Sequence, residues 1–408
     1  MIESPTPRRK IGITCYPTYG GSGVVATELG IELAARGHEV HFITSSPPFR
    51  LSGREANIRF HEVAVSTYPL FEHAPYDLAL ATRMAEVAEF YALDLLHVHY
   101  AIPHSISAIL ARQMLQTHSD PARRRYLPII TTLHGTDITL VGLDRSYLPI
   151  TRFGIEQSDG VSAISAHLRE RTQEAFATTS AIEVIRNFVN CDLYVRDPAR
   201  LAAMRPAYAS PGTATQPAEK LLVHLSNFRP VKRVTDVVEV FARVAKALPA
   251  RLMLIGDGPD RSAAEYLAMR LGVRDRIHFL GKQDNVHELL PLADLMIMPS
   301  EMESFGLAAL EAMACGVPTI ATRVGGVPEL ILDHPDQPGG TNGLLFPVGD
   351  TAAMAEAAIA LLQDAERLAA MAHAARRTAT ERFCATRIIP LYEHYYERIL
   401  AQSATELR

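Results

Sequence analysis

The chain has 408 residues, with 40 Lys and Arg against 45 Asp and Glu and a formal net charge of −5. A charged share of 21% beside 48% hydrophobic residues excludes a disordered or fibrous chain. The slight acidity excludes a global basic field for nucleic acid or anionic lipid.

At about 100–200 residues per domain the length suits two or three domains, each able to bury its own core. The polar start carries Arg8, Arg9 and Lys10, and the apolar run after it breaks at Pro17 and Gly20, too soon for a signal-peptide core. No window approaches about 18 uninterrupted apolar residues, so a cytoplasmic protein without a membrane span is expected. Cys15, Cys191, Cys315 and Cys384 are scattered, against a disulfide framework or a cysteine zinc site.

Short apolar runs bounded by Gly, Pro, Ser or Asn predict strands at 11–15, 40–44, 58–63, 95–99, 129–133, 160–164 and 183–185. Three- and four-residue apolar spacing predicts helices between them at 24–36, 76–91, 105–117 and 166–177. Such alternation implies βαβ units and a mostly parallel sheet covered on both faces. Residues 196–219, rich in Ala, Pro, Thr and Arg, carry no strand signal and are read as a linker with an exposed loop. Alternation restarts with strands at 221–226, 251–256, 277–280, 294–298 and 318–321 and helices at 235–248, 261–271, 306–314 and 351–362. A last amphipathic helix at 382–400 has no strand to follow it and is expected to pack back on the first domain.

The fold class is therefore α/β, with two Rossmann-like doubly wound domains at 1–195 and 220–381, the linker 196–219 between them and the tail 382–408 after them. Each sheet of this kind has its ligand crevice at the carboxyl ends of its strands. Two in tandem predict a cleft that holds two substrates and closes on them.

Three segments carry chemistry. First, Gly20-Gly21-Ser22-Gly23 leads from a strand into a helix, where backbone N–H groups and the helix dipole favour an anion. Residues 21–26 also satisfy the GxGxxA dinucleotide fingerprint, but the acidic residue required about 20 positions on is absent from 43–48. A tight turn with no ligand competes with the anion reading at any one glycine. Second, Asn227, Arg229, Lys232 and Arg233 follow a strand and precede a helix. Cations disfavour a helix N-terminus unless an anion sits there, and a diphosphate is the natural occupant. Third, Glu303 is predicted at a loop–helix junction and Glu311 about two turns on, about 80° away in azimuth. The helix around Glu311 is otherwise apolar, so its carboxylate needs a partner, either a structural one or two ribose hydroxyls.

The pair Glu303 and Glu311 forms an E-x7-E pattern. Together with Gly20-Gly21-Ser22-Gly23, His134-Gly135-Thr136-Asp137, the Arg229–Arg233 cations and Gly325-Gly326-Val327-Pro328-Glu329, it resembles the retaining glycosyltransferases of the GT-B fold in glycosyltransferase family 4 (GT4). The resemblance covers essentially the whole chain, although 196–219 is longer than the usual connection. Segments 16–23, 97–104, 132–137 and 226–233 resemble the branch that moves N-acetylglucosamine from UDP-N-acetylglucosamine to the hydroxyl of L-malate, the first step of bacillithiol biosynthesis.

That resemblance implies an acceptor domain at 1–195 and a nucleotide-sugar domain at 220–381. It implies that Glu303, His134, Arg229 and Lys232 are catalytic, with Glu303 on the sugar hydroxyls and the cations on the departing diphosphate. Gly20, Gly21, Ser22, Asn227, Arg229, Lys232 and Arg233 would bind the donor. Ser304, Phe305 and Gly306 would add backbone amides, and Glu311 the ribose contact. Malate, with two carboxylates, calls for a cation and hydroxyls, and Arg152, Ser22, Tyr100 and Thr132 are the candidates. A plain structural role competes for Tyr100 and Thr132. No metal or other cofactor is expected, and no nucleic acid partner; relatives are often homodimers. His97, His99 and His104 lack the carboxylate or cysteine that would complete a metal set. The alternatives are another acceptor or another UDP- or GDP-sugar donor within the family, a dinucleotide-dependent oxidoreductase, and a non-catalytic sugar-binding protein.

Overall fold

The computed structural model describes residues 7–18, 20–51, 53–65, 73–139, 141–334, 336 and 340–406. Tyr19, within the segment 16–23, lies outside the described residues. The chain forms two compact units, Met1–Arg186 with Ile388–Arg408, and Asn187–Arg387.

The first unit holds strands β1 (Lys10–Thr14), β2 (Glu39–Thr44), β3 (Ile58–Glu62), β4 (Leu95–His99), β5 (Ile129–Leu133), β6 (Gly160–Ala163) and β7 (Ile182–Val184). They pair in parallel in the order β3-β2-β1-β4-β5-β6-β7. Every residue of β4 and β5 is buried, as expected where helices cover both faces of a parallel sheet. Ile43, Val98 and Ile129 of the strands pack with Leu80 and Met84 of helix Tyr76–Tyr91 and Ala108 and Ala111 of helix Ile106–Gln116. The order reverses between β1 and β4, the position at whose carboxyl ends a sheet of this kind takes its ligand.

The last helix is Ala385–Glu406, and from Ile388 on it belongs to this unit. Tyr392 and Tyr396 are fully buried, and the Tyr395 hydroxyl donates to the Val161 carbonyl at 3.0 Å. Gly160 lets that tyrosine in, since a Cβ there would stand 2.7 Å from its hydroxyl oxygen.

The second unit holds β8 (Lys220–Leu225), β9 (Ala250–Ile255), β10 (Ile277–Gly281), β11 (Leu295–Met298), β12 (Thr319–Thr322) and β13 (Gly343–Phe346). Their order, β10-β9-β8-β11-β12-β13, reverses between β8 and β11. Helices Val234–Ala247 and Thr351–Gln363 cover one face with Val237, Phe241, Met354 and Leu361. The strand β13 escapes the sequence reading because Gly-Leu-Leu-Phe is too short a run to stand out. Helix Ala365–Arg382 escapes because its Ala- and Arg-rich sequence shows little contrast between faces.

Two readings are corrected. Residues 196–219 are not a linker. Asp197 caps helix Pro198–Met204 through a 2.9 Å bond from the Ala199 N–H, and Arg205 lies 2.6 Å from Asp294. Glu219 accepts from the Ser210 N–H at 2.7 Å and Arg251 at 2.8 Å, tying the segment to the second sheet. The change of unit therefore falls at 186/187 rather than 195/196. Residues 187–195 are bonded to the end of the second unit, with Val189 N–H to Phe383 O at 3.0 Å and Ala385 N–H to Val189 O at 2.9 Å. Among the described residues no helix is long and apolar enough to cross a membrane.

Candidate active site

In the second unit the loops after β8 and β11 meet, because these strands are neighbours at the reversal of strand order. The Glu301 N–H donates to the Val231 carbonyl at 2.8 Å. On this junction Lys232 Nζ donates to Glu303 Oε1 at 2.5 Å, and the Ser300 hydroxyl donates to the same oxygen at 3.0 Å. Glu303 lies in the loop, four residues ahead of helix Leu307–Ala314, so helical azimuth does not relate it to Glu311. Tertiary contacts place it. The Gly326 N–H donates to the Glu303 carbonyl at 3.1 Å, and a Cβ on Gly325 would stand 1.8 Å from that oxygen. With φ at +54°, Gly325 meets a conformational demand and a close approach at once.

Gly306 caps the helix at φ +95°, and the first bond inside the helix runs from the Leu310 N–H to the Gly306 carbonyl. The Phe305 side chain is core, edge-on to Phe383 at 5.7 Å, so only its backbone is available for the donor role assigned to it. Ser304 sits in the same turn. Glu311 is 4% exposed, and its Oε1 accepts the Tyr194 hydroxyl at 2.8 Å.

Arg229 is exposed at the head of the turn Pro230–Lys232. Asn227 Oδ1 is buried with no hydrogen-bond partner among the described residues. Arg233 departs from its expected place. It adopts φ +50° as the cap of helix Val234–Ala247 and donates to Asp236 at 2.8 Å, so the anion that satisfies this cation belongs to its own first helical turn.

In the first unit the loops after β1, β4 and β5 converge. The helix begins at Gly21 rather than Val24, so Gly21, Ser22 and Gly23 are its first turn and Gly20 its extended cap. Gly23 is structural, as a Cβ would stand 2.6 Å from the Tyr16 carbonyl. Ser22 donates to the Tyr100 hydroxyl at 3.0 Å. Tyr100 holds φ +92°, a strained setting for a side-chain residue, and its ring stacks 5.5 Å from His134. Tyr16 packs edge-on to Tyr100 at 5.2 Å and against His104 at 4.6 Å.

His134 Nε2 and His99 Nδ1 share a hydrogen bond at 2.8 Å. Burial pushes the His134 imidazole down to about 3 and the His104 imidazole to about 4, and holds His99 well below the usual range. All three are therefore neutral at physiological pH. Asp137 ties the loops together, accepting the Gly135 N–H at 2.9 Å and the Ala101 N–H at 3.0 Å, while burial raises its carboxyl.

Thr132 does not line the crevice. Its hydroxyl is fully buried, 2.7 Å from His97 Nε2 and 2.7 Å from the Ser162 hydroxyl, and is occupied by that network. Arg152 lies on helix Leu148–Glu156 and donates to Glu156 at 2.7 Å, with a half-exposed side chain. No hydrogen bond described for it joins it to Ser22 or Tyr100. Sequence reasoning missed Tyr194 and His99 as partners of site residues. Nothing in the spacing points to Tyr194, which lies 117 residues from Glu311.

Residues 19–193 match the model of Glycosyltransferase Family 4, and residues 210–378 match that of Glycosyl transferases group 1. Among curated proteins, the N-acetyl-alpha-D-glucosaminyl L-malate synthase of Bacillus anthracis is 50% identical over 391 residues, 96% of this chain and 97% of that protein. A GDP-mannose-dependent alpha-(1-6)-phosphatidylinositol monomannoside mannosyltransferase of Mycolicibacterium smegmatis is 29% identical over 318 residues, covering 74% of this chain and 76% of its own. Among solved structures, sucrose-phosphate synthase from Thermosynechococcus elongatus superposes with a TM-score of 0.74 at 21% identity, over 97% of this chain and 100% of that one. Anabaena HepE in complex with UDP-glucose gives 0.74 at 19% identity, over 98% and 100%.

Proposed function

The chain belongs to the family 4 glycosyltransferases, and we propose that it transfers N-acetylglucosamine from UDP-N-acetylglucosamine to the hydroxyl of L-malate with retention at the anomeric carbon. The observation that carries this reading is the 50% identity with an N-acetyl-alpha-D-glucosaminyl L-malate synthase over nearly the full length of both chains.

In the proposed reaction the bond from the anomeric carbon to the β-phosphate oxygen breaks as the malate oxygen arrives on the same face. The malate hydroxyl proton passes to the departing phosphate, so UDP leaves and no separate protein base is needed. Negative charge grows on the leaving phosphate, and fixed cations stabilise it more than water would. Lys232 and Arg229 take that role. Glu303, with Lys232 and Ser300 on one carboxylate oxygen, is assigned to the sugar hydroxyls. Glu311 is assigned to the ribose.

In the first unit neutral His134 is assigned to a hydroxyl of the transferred sugar. Ser22 and Tyr100 are assigned to the acceptor. Arg152 keeps its place in the proposal because its pair with Glu156 is an exposed i,i+4 contact worth only about 0.3–0.5 kcal/mol, easily exchanged for a malate carboxylate. No metal takes part in this scheme, and EDTA is expected to leave the rate unchanged. Cytoplasmic location and a homodimeric assembly complete the proposal.

The test is UDP release from UDP-N-acetylglucosamine with and without L-malate, with the anomeric configuration of the product read by NMR coupling. Release that depends on malate and yields the α-anomer supports the reading. Release with a different acceptor only, or an inverted product, overturns it.

A further inference from the structure

We propose that Tyr194 is a positioning residue for the donor nucleotide: its phenol holds the Glu311 carboxylate in the orientation from which that carboxylate accepts the ribose hydroxyls. The proposal rests on the assignment of Glu311 to the ribose and adds the group that makes Glu311 fit for it.

Glu311 is embedded in helix Leu307–Ala314 among Ala309, Leu310, Ala312 and Met313, all buried. A carboxylate in such surroundings keeps its charge only where donors reach it. The donor described here is the Tyr194 hydroxyl, 2.8 Å from Oε1, with Tyr194 itself 2% exposed. A neutral phenol differs from the Lys232 ammonium at Glu303. It occupies one acceptor position of a carboxylate that has about four, and it adds no positive charge to compete with uncharged ribose hydroxyls.

The segment that carries Tyr194 is built to hold it. The Asp192 and Leu193 N–H groups donate to Asn190 Oδ1 at 3.1 Å, and the Tyr194 N–H donates to the Asn190 carbonyl at 3.0 Å. Arg376 then clamps the turn, donating to the Tyr194 carbonyl at 2.7 Å and the Cys191 carbonyl at 3.0 Å. The same guanidinium donates to the carbonyl of Ala314, the last residue of the Glu311 helix. Tyr194 and Glu311 are thus fixed to each other at two points, phenol to carboxylate and backbone to backbone through Arg376. A tyrosine that merely filled the core would need neither.

The experiment compares binding of UDP and of 2′,3′-dideoxy-UDP to the full chain by calorimetry, with donor KM measured alongside. Y194F is expected to weaken UDP about tenfold, the scale of one lost hydrogen bond to a buried charged group. Dideoxy-UDP, which lacks the hydroxyls Glu311 receives, is expected to bind both proteins within twofold. The loss should fall on donor KM more than on kcat. R376K, which loosens the clamp and leaves the phenol in place, is expected to narrow the same discrimination to a lesser degree, and it carries the test if Y194F folds poorly. Equal weakening of both nucleotides would mark a purely structural tyrosine and overturn the proposal. E311Q separates the two readings. If E311Q discriminates as before, the ribose assignment fails; if E311Q loses discrimination while Y194F keeps it, only the role of Tyr194 fails.

Discussion

Lys232 Nζ and Glu303 Oε1 lie 2.5 Å apart across 71 residues of sequence, joining a cation from the loop after β8 to an acid from the loop after β11. The two side chains retain only 22% and 13% of their exposure, so their charges are partly removed from water. Each orients the other: the ammonium fixes where the carboxylate points, and the carboxylate keeps the ammonium in the crevice.

K232A is therefore expected to lower kcat about 10²–10³-fold, the usual scale for losing one preorganised group that stabilises developing charge. E303Q is expected to lower kcat at least as far, with thermal stability nearly unchanged because Ser300 still reaches the amide oxygen. Malate-dependent UDP release measures both. A kcat within twofold of the parent in either variant would remove that residue from the site.

Gly325 lies outside the charged groups, yet its substitution is expected to be severe. A methyl group there collides with the Glu303 carbonyl, and φ +54° adds about 1–2 kcal/mol of backbone strain for any other residue. G325A should lose activity about 100-fold or more while the second unit stays folded, because relief of the clash displaces Glu303. Activity within threefold of the parent, with unchanged melting temperature, would show that the loop absorbs the methyl group.

The acceptor side offers a sharper contrast. R152A is expected to raise the malate KM at least tenfold and leave donor KM and melting temperature almost unmoved, since the exposed pair with Glu156 contributes little to folding. S22A and Y100F each remove one end of the 3.0 Å bond between them, so their effects on malate KM should overlap in the double variant rather than add. An unchanged malate KM in R152A would exclude it as the clamp.

Acid should weaken the first unit. His97 and His134 are held to about 3 and His104 to about 4 by burial, against an ordinary value near 6.5. Because these folded-state values are depressed, the unfolded chain takes up protons first as pH falls below about 6.5. Their stabilising contribution is complete above that value and declines toward pH 4, by about 1.4 kcal/mol per pH unit for each histidine. Urea unfolding at pH 7.5, 6.0 and 5.0 should show the midpoint falling steadily. A constant midpoint over that range would mean the rings are protonated in the fold.

Most strands of both sheets were legible in the sequence because burial on two faces favours short, largely apolar runs, as at Leu295–Met298. The motif loops were legible too, since glycines, cations and acids at strand ends break those runs. Periodicity is a local property, however, and it fails where composition is uniform or the run is short, as in Ala365–Arg382 and Gly343–Phe346.

Partnership belongs to the tertiary structure. Strand order makes β8 and β11 neighbours and so sets Lys232 against Glu303, whereas Arg233, one residue on, turns to Asp236 because the chain enters its helix there. Thr132 looks like a strand-end hydroxyl in sequence, yet β4 and β6 flank it and His97 and Ser162 consume it. Residues 196–219 look like a linker, yet ion pairs to Asp294 and Arg251 fold them onto the second sheet. The residues capable of the chemistry can be named from a linear chain. Which of them meet depends on long-range packing, where a buried charge must find its donor wherever in the sequence that donor lies, as Glu311 finds Tyr194.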